Sequence, residues 1–488
     1  METRAWLLTK LLPIVLVLIA LGTAAYATYS FVASRELTLA ELEEKYVPGV
    51  HGVKVIVAGE EVGSFMPWVP LELNTNLATS LKDVCLRAGK DAGCAQDTAA
   101  RFSIFTREHV VTREGKAYTL VRTATPVRLS DINEEFIDAR LGLIAAWARA
   151  NQEPDGSFPY LYYPGADRYE EGDYLIRQLI TVQGLYAIAK RNDDAELYSI
   201  AEKAEKHLME ESYRYDPAKR YAYFTEDDGV RLGAAALGIL MIREKGDVLR
   251  APTEEEVALG EFLLAMQRDD GSFQTFLQDE PTDVDEMFYS GEALTALARL
   301  SAVSQDARYD NALEKGFTHY RTKIADDFWP QYSPWHMQAY AIYFEETDNE
   351  EYARYVYWLA EGLIQTMLED DPHARPDEEG RFFNPKYRDW GPPHSSSTGI
   401  YLEGLAYAYR LAKERDDAAE ARRFEEAVRK GTRALMQVQW TPESAYYIQE
   451  PSRVVGHFKV SVTNNVGRID QLGHAANAFV VVQDVLWK

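Results

Sequence analysis

What this chain is short of narrows it first. Its 488 residues include only two cysteines, Cys85 and Cys94, and nine histidines. No Cys-x-x-Cys pair or Cys/His cluster occurs, so a structural zinc site has no ligand set to draw on. No His, Asp or Glu spacing supports a zinc or calcium site either, and neither a metal nor another cofactor is expected. Positive charge is in deficit: 52 lysines and arginines face 77 aspartates and glutamates, a formal net charge of -25. Such a surface repels phosphate backbones, which excludes nucleic acid as a partner. It also makes a highly anionic polymer an awkward substrate unless a local basic patch overrides the field. Composition is otherwise ordinary for a globular chain, at 46% hydrophobic and 26% charged, with 30 tyrosines that suit a deep core or a lined cleft.

One long uncharged apolar run exists, Leu11 to Val32, about 22 residues. As a helix it spans a bilayer core. Arg4 and Lys10 precede it and Glu41, Glu43 and Glu44 follow, which places the N-terminus in the cytoplasm and the body outside. The alternative is a cleaved signal peptide with Ala25-Tyr26-Ala27 as its cleavage site. Both readings export the body, to the periplasm, the cell surface or the medium. Export makes a Cys85–Cys94 disulfide plausible, against two unpaired thiols as the plain alternative.

Three segments follow from pattern: 1–34, a cytoplasmic stub and membrane anchor; 35–128, a small α+β domain; and 129–488, which is helical throughout. Strand character in 52–59, 101–108 and 117–127 flanks a helix over 76–90. From about residue 130, polar amphipathic helices alternate with apolar, small-residue ones. The apolar members start near Asp173, Val230, Met287, Trp335, Thr398 and Ile469. A helix apolar all round is a buried one. Six such pairs suit two concentric rings, an (α/α)6 toroid with the apolar helices inside. The fold class expected is mainly α: this toroid, preceded by the α+β domain and the transmembrane helix.

The loops leading into the inner helices (156–173, 271–286, 327–334 and 381–397) are long and aromatic, and the opposite connections are short and acidic. Long loops usually bind something, so the aromatic face is the expected working face. Candidate groups gather there. Asp173, Asp285, Glu286 and Asp470 stand at inner-helix starts, where helix capping is their plain alternative role. Glu292 and Glu403 lie one turn inside, where a carboxyl must find a partner or shift its pKa; both suit the funnel floor, or an ion pair with Arg177 or Arg468. His474 follows Asp470 by four residues, on one helix face, as an acid/base and its orienting carboxylate would. Catalytic candidates are therefore Asp173, Asp285, Glu292, Asp470 and His474. Substrate-binding candidates are Arg177, Tyr160, Tyr162, Tyr289, Trp335, His336, Trp390, Glu403 and Arg468, the rings stacking on sugar faces.

Asn151–Phe158 and Met266–Phe273 are two copies of a Gln-x-x-Asp-Gly-Ser-Phe turn, and Ser290–Tyr309 and Ser397–Asp417 resemble hairpin halves of six-hairpin glycosidase-like proteins. The tail Gly456–Phe479 resembles bacterial proteins related to the C-terminal domain of D-glucuronyl C5-epimerases. This resemblance covers about 130–488 and implies a carbohydrate-active protein on envelope or extracellular polysaccharide: a glycoside hydrolase, a uronate lyase or an epimerase. Carbohydrate polymer or oligosaccharide, the membrane and envelope proteins are the implied partners. A tethered, non-catalytic glycan-binding or assembly factor is the alternative. The repeated turns are also similar to the motifs of terpenoid cyclases, with Asp283–Glu286 near the place of an acid motif, though Glu286 departs from that pattern.

Overall fold

A computed structural model describes residues 36–170, 172, 174–227, 229–247, 249–278, 283–367, 375–382 and 394–488, the side chains of Asp283 and Val284 excepted. The expected membrane segment, Asp173 and Trp390 lie outside the described residues. Among the described residues no helix is long and apolar enough to cross a membrane. The chain forms two compact units, one holding 36–70 with 75–107 and the other 71–74 with 108–488. The division falls near residue 107, so 108–128, grouped by pattern with the small domain, joins the helical unit.

The smaller unit is α+β. After α1 (Leu39–Lys45), strands β1 (Gly52–Val57) and β2 (Glu60–Phe65) form a hairpin, and β3 (Ala100–Phe105) pairs with β1 to give the antiparallel order β2-β1-β3. The turn residues Ala58 and Gly59 both have positive φ, the backbone that matches strand twist in a two-residue hairpin. Asn76 accepts a hydrogen bond from the Thr79 N–H at 2.9 Å to start α2 (Leu77–Arg87). Leu81, Val84 and Cys85 of α2 join Val53, Val55, Phe65 and Phe102 in the core. Cys85 and Cys94 form a disulfide.

The larger unit begins with a hairpin, β4 (His109–Arg113) and β5 (Lys116–Leu120), followed by α3 (Glu134–Asn151). Short strands β6 (Leu161–Tyr163) and β7 (Arg168–Tyr169) lead to α4 (Leu175–Arg191) and α5 (Ala195–Ser212). A further hairpin, β8 (Tyr213–Asp216) with β9 (Tyr221–Phe224), precedes α6 (Leu232–Lys245) and α7 (Glu254–Met266). Next come α8 (Asp283–Ser301), α9 (Ala307–Asp326), α10 (Ser333–Thr347), α11 (Glu350–Ile364), α12 (Ser395–Glu414) and α13 (Ala418–Gln437). Strand β10 (Gly467–Arg468) leads directly into α14 (Ile469–Trp487).

Even-numbered helices from α4 to α14 each pack on the next, and α14 returns to α4, closing an inner ring. Odd-numbered helices from α3 to α13 pack outside it. Chemistry explains the sorting. Every residue from Leu232 to Arg243 and from Ser333 to Phe344 is buried, whereas α13 up to Lys430 buries only a stripe through Phe424, Ala427 and Val428. The closing seam is tight because it is glycine-lined: a Cβ on Gly473 would lie 2.7 Å from the Thr181 backbone.

The repeated turn is a structural clamp. Gln152 and Gln267 each donate across their own turn and to a carbonyl of the next outer helix, Ile200 O at 2.8 Å and Ala312 O at 2.9 Å. Asp155 and Asp270 each accept from the Ser two residues on. Two further copies carry only the Gly-x-Phe part, Gly380–Phe382 and Gly456–Phe458, and Gln439 repeats the clamp toward Arg140 O at 3.1 Å. All four glycines have positive φ and sit against an outer-helix carbonyl. At Gly271, φ is +90° and a Cβ would meet Lys315 O at 2.2 Å. Gly271→Ala is therefore expected to cost about 3 kcal/mol, from backbone strain plus overpacking, read as a lowered urea midpoint for the toroid.

Candidate active site

The starts of the inner helices meet at one end of the ring. Their positions are set by short local devices. Arg468 in β10 pairs with Leu161 in β6, and the Ile469 N–H donates to Tyr160 O at 3.0 Å. The same α14 start is held when the Arg468 N–H donates to Gln471 Oε1 at 3.0 Å. His394 is the N-cap of α12; its Nδ1 accepts from the Ser397 N–H at 3.3 Å and lies 2.7 Å from Ser396 Oγ. Burial, with Arg468 nearby, pushes His394 down to about 4, so it is a neutral ring.

Arg468 makes a two-point pair with Asp470 at this end. Nε and Nη2 donate to the two carboxylate oxygens at 2.6 and 2.7 Å. Arg177 Nε stands 3.9 Å from Asp470 Oδ2, and Arg468 also reaches Ser396 Oγ at 3.2 Å. Burial opposes charge on Asp470, but the Arg468 guanidinium and then Arg177 outweigh it and hold the carboxyl at about 2. Arg177 donates to Tyr160 OH and lies 4.4 Å from the Tyr174 ring centre. Arg231 stacks over Tyr174 and Phe276 at 4.8 and 5.4 Å. Tyr174 OH is 3.5 Å from Tyr289 OH. The result is a continuous wall of arginines and phenols, in which Arg468 is paired with Asp470 and Arg231 with Glu226, of the kind that holds a hydroxyl-rich ligand.

One turn deeper is a carboxyl of a different kind. Glu292 is 5% exposed, and among the described residues its Oε2 has no hydrogen-bond partner. Burial pushes it up to about 8. It fits only because α6 carries a glycine opposite: a Cβ on Gly233 would lie 2.4 Å from Oε2. Glu403 lies on α12 with Oε1 3.4 Å from His474 Nδ1. Burial raises its pKa and the histidine offsets part of the rise. The Trp335 ring centre is 6.4 Å from that of His474.

Glu292, Glu403, Asp470, His474, Arg177, Arg468, Tyr160, Tyr289 and Trp335 thus fall on this end or just below it. Two expected contacts are corrected. His336 is fully enclosed between the rings, 5.3 Å from Tyr320 and 6.3 Å from Tyr355 of the outer helices, and burial lowers it to about 3. Tyr162 points into a separate cluster with Trp440, Ile448 and Val454, its hydroxyl donating to Asp167 at 2.7 Å. Glu286 pairs outward with Lys323 and accepts from Tyr320 OH at 3.2 Å, which takes the last position of the cyclase-like acid stretch away from the axis. Asp285 is half-buried at the start of α8. Arg231 and Tyr174 were not foreseen; each holds the N-cap position of an inner helix, as Arg468 does, and that shared place was the available signal. Among the described residues no group of His, Cys, Asp and Glu could hold a metal.

No family model matches the chain, and no curated protein does. Solved structures do. An inactive variant of the α-1,6-mannanase GH76A of Salegentibacter sp. HEL1_6, in complex with α-1,6-mannotriose, matches with TM-score 0.53 and 10% identity, over 72% of this chain and 99% of that one. An unsaturated glucuronyl hydrolase specific for heparin matches at 0.51 and 12%, over 72% and 98%. A D-mannose isomerase matches at 0.50 and 10%, over 72% and 98%. The fold shared with these structures is an (α/α)6 toroid. Within this toroid the chemistry rests on the side chains described above, because identities this low carry the fold alone.

Proposed function

We propose that the chain is a carbohydrate-active enzyme, a glycoside hydrolase in its leading form, with Glu292 as the proton donor. The observation that carries this is the state of Glu292. A binding protein built on this fold would be expected to leave its carboxylates paired or capping, as Asp470 and Glu286 are. Glu292 is instead buried between α8 and α6, one turn below the arginine–tyrosine wall, and burial favours its protonated form near neutral pH, as general acid catalysis of glycoside cleavage requires. The Glu403–His474 pair is the partner best suited to activate water, since Asp470 is already neutralised by Arg468. The arginine–tyrosine wall suits a hydroxyl-rich saccharide, and the heparin-specific hydrolase of the same fold supports that choice. Tyr289 is poorly suited to act as a phenolate base for lyase or epimerase chemistry, because burial raises its pKa.

The body acts outside the cytoplasm on envelope or extracellular polysaccharide, tethered by the 11–32 segment. The Cys85–Cys94 bond supports an oxidising compartment. Incubation of the protein with a panel of uronate-containing and neutral glycans, in deuterated water with mass-spectrometric readout, is expected to give products heavier by one water. An unsaturated product would replace hydrolysis by elimination, and deuterium uptake without cleavage would replace it by epimerisation. Saturable binding with no product would overturn the enzyme in favour of the tethered glycan-binding factor.

A further inference from the structure

The opposite end of the toroid, where the inner helices finish, holds a cavity of about 700 Å³. That is a common volume for a small-molecule site. Its floor is polar. Gln338 and Asn477 are each 5% exposed, yet Gln338 Nε2 and Asn477 Nδ2 have no hydrogen-bond partner among the described residues, and neither does Gln183 Oε1. Buried amide groups left in this state cost stability unless something else satisfies them. The walls reverse the sign of the protein as a whole: seven lysines and arginines line the cavity against four carboxylates, in a chain of net charge -25.

Basic residues in a last helical turn ordinarily answer the helix dipole. Most of the rim is accounted for in that way or by ion pairs: Lys190 with Glu244 at 3.0 Å and two carbonyls, Arg191 with Asp484 at 2.6 Å, Arg410 with Glu345 at 2.6 Å. Arg299 is different. It turns from α8 across the ring to donate to Tyr407 OH of α12, and no carboxylate pairs with it among the described residues. A guanidinium without a carboxylate partner among the described residues and three amide side chains line one cavity, with the unsatisfied amide atoms buried just beneath its floor.

We propose that this cavity is a second binding site, for a small anionic sugar. Arg299 takes the carboxylate or phosphate, and the amide side chains of Gln183, Gln338 and Asn477 in the floor turn toward its hydroxyls on binding. The site is separate from the arginine–tyrosine wall and does not depend on the proposed hydrolysis. Glu403 borders both, one face toward His474 and the other lining this cavity.

The test is calorimetric titration of the full-length protein with D-glucuronate, D-glucose 6-phosphate and D-glucose. Saturable binding of at least one anionic sugar, and none of D-glucose at the same concentrations, is expected. The preferred anion identifies the group that Arg299 reads. Arg299→Gln is expected to weaken that binding about 10–100-fold, the loss of a charge-assisted hydrogen bond. Gln338→Leu, of similar volume, is expected to weaken it as well and serves if the arginine variant fails to fold. Glu292→Gln, at the other end, leaves it within a factor of two. Absence of binding by both anions, equal binding of glucose, or an affinity that follows Glu292→Gln and ignores the two cavity variants would each overturn the proposal.

Discussion

Replacing Glu292 by glutamine is expected to lower kcat on the cleaved glycan by about 10²–10⁴-fold with KM little changed, because the amide keeps the shape and hydrogen-bonding size but has no proton to give. The parent enzyme should show an alkaline limb in its kcat profile near pH 8, as Glu292 loses its proton. Stability also falls as pH rises. Between the ordinary carboxyl value of 4.5 and about 8, folded Glu292 holds a proton that the unfolded chain has released. Unfolding is therefore increasingly favoured as pH rises through that window, and the loss is complete above about 8. Glutamine does not titrate. The variant should be more stable than the parent at pH 9 and nearly inactive, and urea midpoints against pH measure the first half of that statement. A variant that retains turnover, or one that fails to flatten the alkaline loss of stability, would remove Glu292 from the acid role. Gly233→Ala provides a steric counterpart, since its new methyl would lie 2.4 Å from Oε2 and displace it.

Asp470→Asn is the second large effect. Asp470 is buried and accepts two hydrogen bonds from Arg468 with Arg177 behind. Removing its charge leaves the Arg468 guanidinium, about a quarter exposed, without its counter-ion, a change that costs about 2–3 kcal/mol, below the range for a fully buried pair. The pair also sets acid stability. The folded pKa of about 2 lies below the ordinary 3.8, so the contribution is fully present above 3.8 and is lost as pH falls toward 2. That difference is worth about 2–3 kcal/mol, and the asparagine variant should lack this part of the acid transition. Pairing it with Arg468→Met, which removes the stranded cation, should restore stability toward the parent. No recovery would mean that Arg177, not Arg468, is the cation left exposed by the change.

The candidate site was legible in part. Glu292 and Glu403 stood out as carboxyls inside apolar, small-residue helices, a placement costly enough to need a reason. His336 misled because it adjoins Trp335 at a helix start. Successive helical residues point about 100° apart, so only one of the two can face the axis. Packing chose Trp335 and sent His336 between the rings. Tyr160 and Tyr162 would share a face in an unbroken strand, but β6 begins only at Leu161, and the bend before it parts them. Arg299 carried no signal at all: a last-turn arginine reads as a dipole partner until Tyr407, 108 residues away, is brought across the ring.

Periodicity and composition by themselves determined the six alternating helix pairs, the long aromatic loops on one side and the acidic connections on the other, because burial all round or on one stripe is written directly into which residues are apolar. The Cys85–Cys94 disulfide followed from the expectation of export. Only the tertiary structure decided which polar groups meet. The Arg468–Asp470–Arg177 cluster joins α4 to α14 where the ring closes, and the amide floor of the second cavity draws on α4, α10 and α14. Those contacts depend on the rotation of each helix about its own axis, which close packing of glycines and aromatic rings settles and which no local pattern specifies.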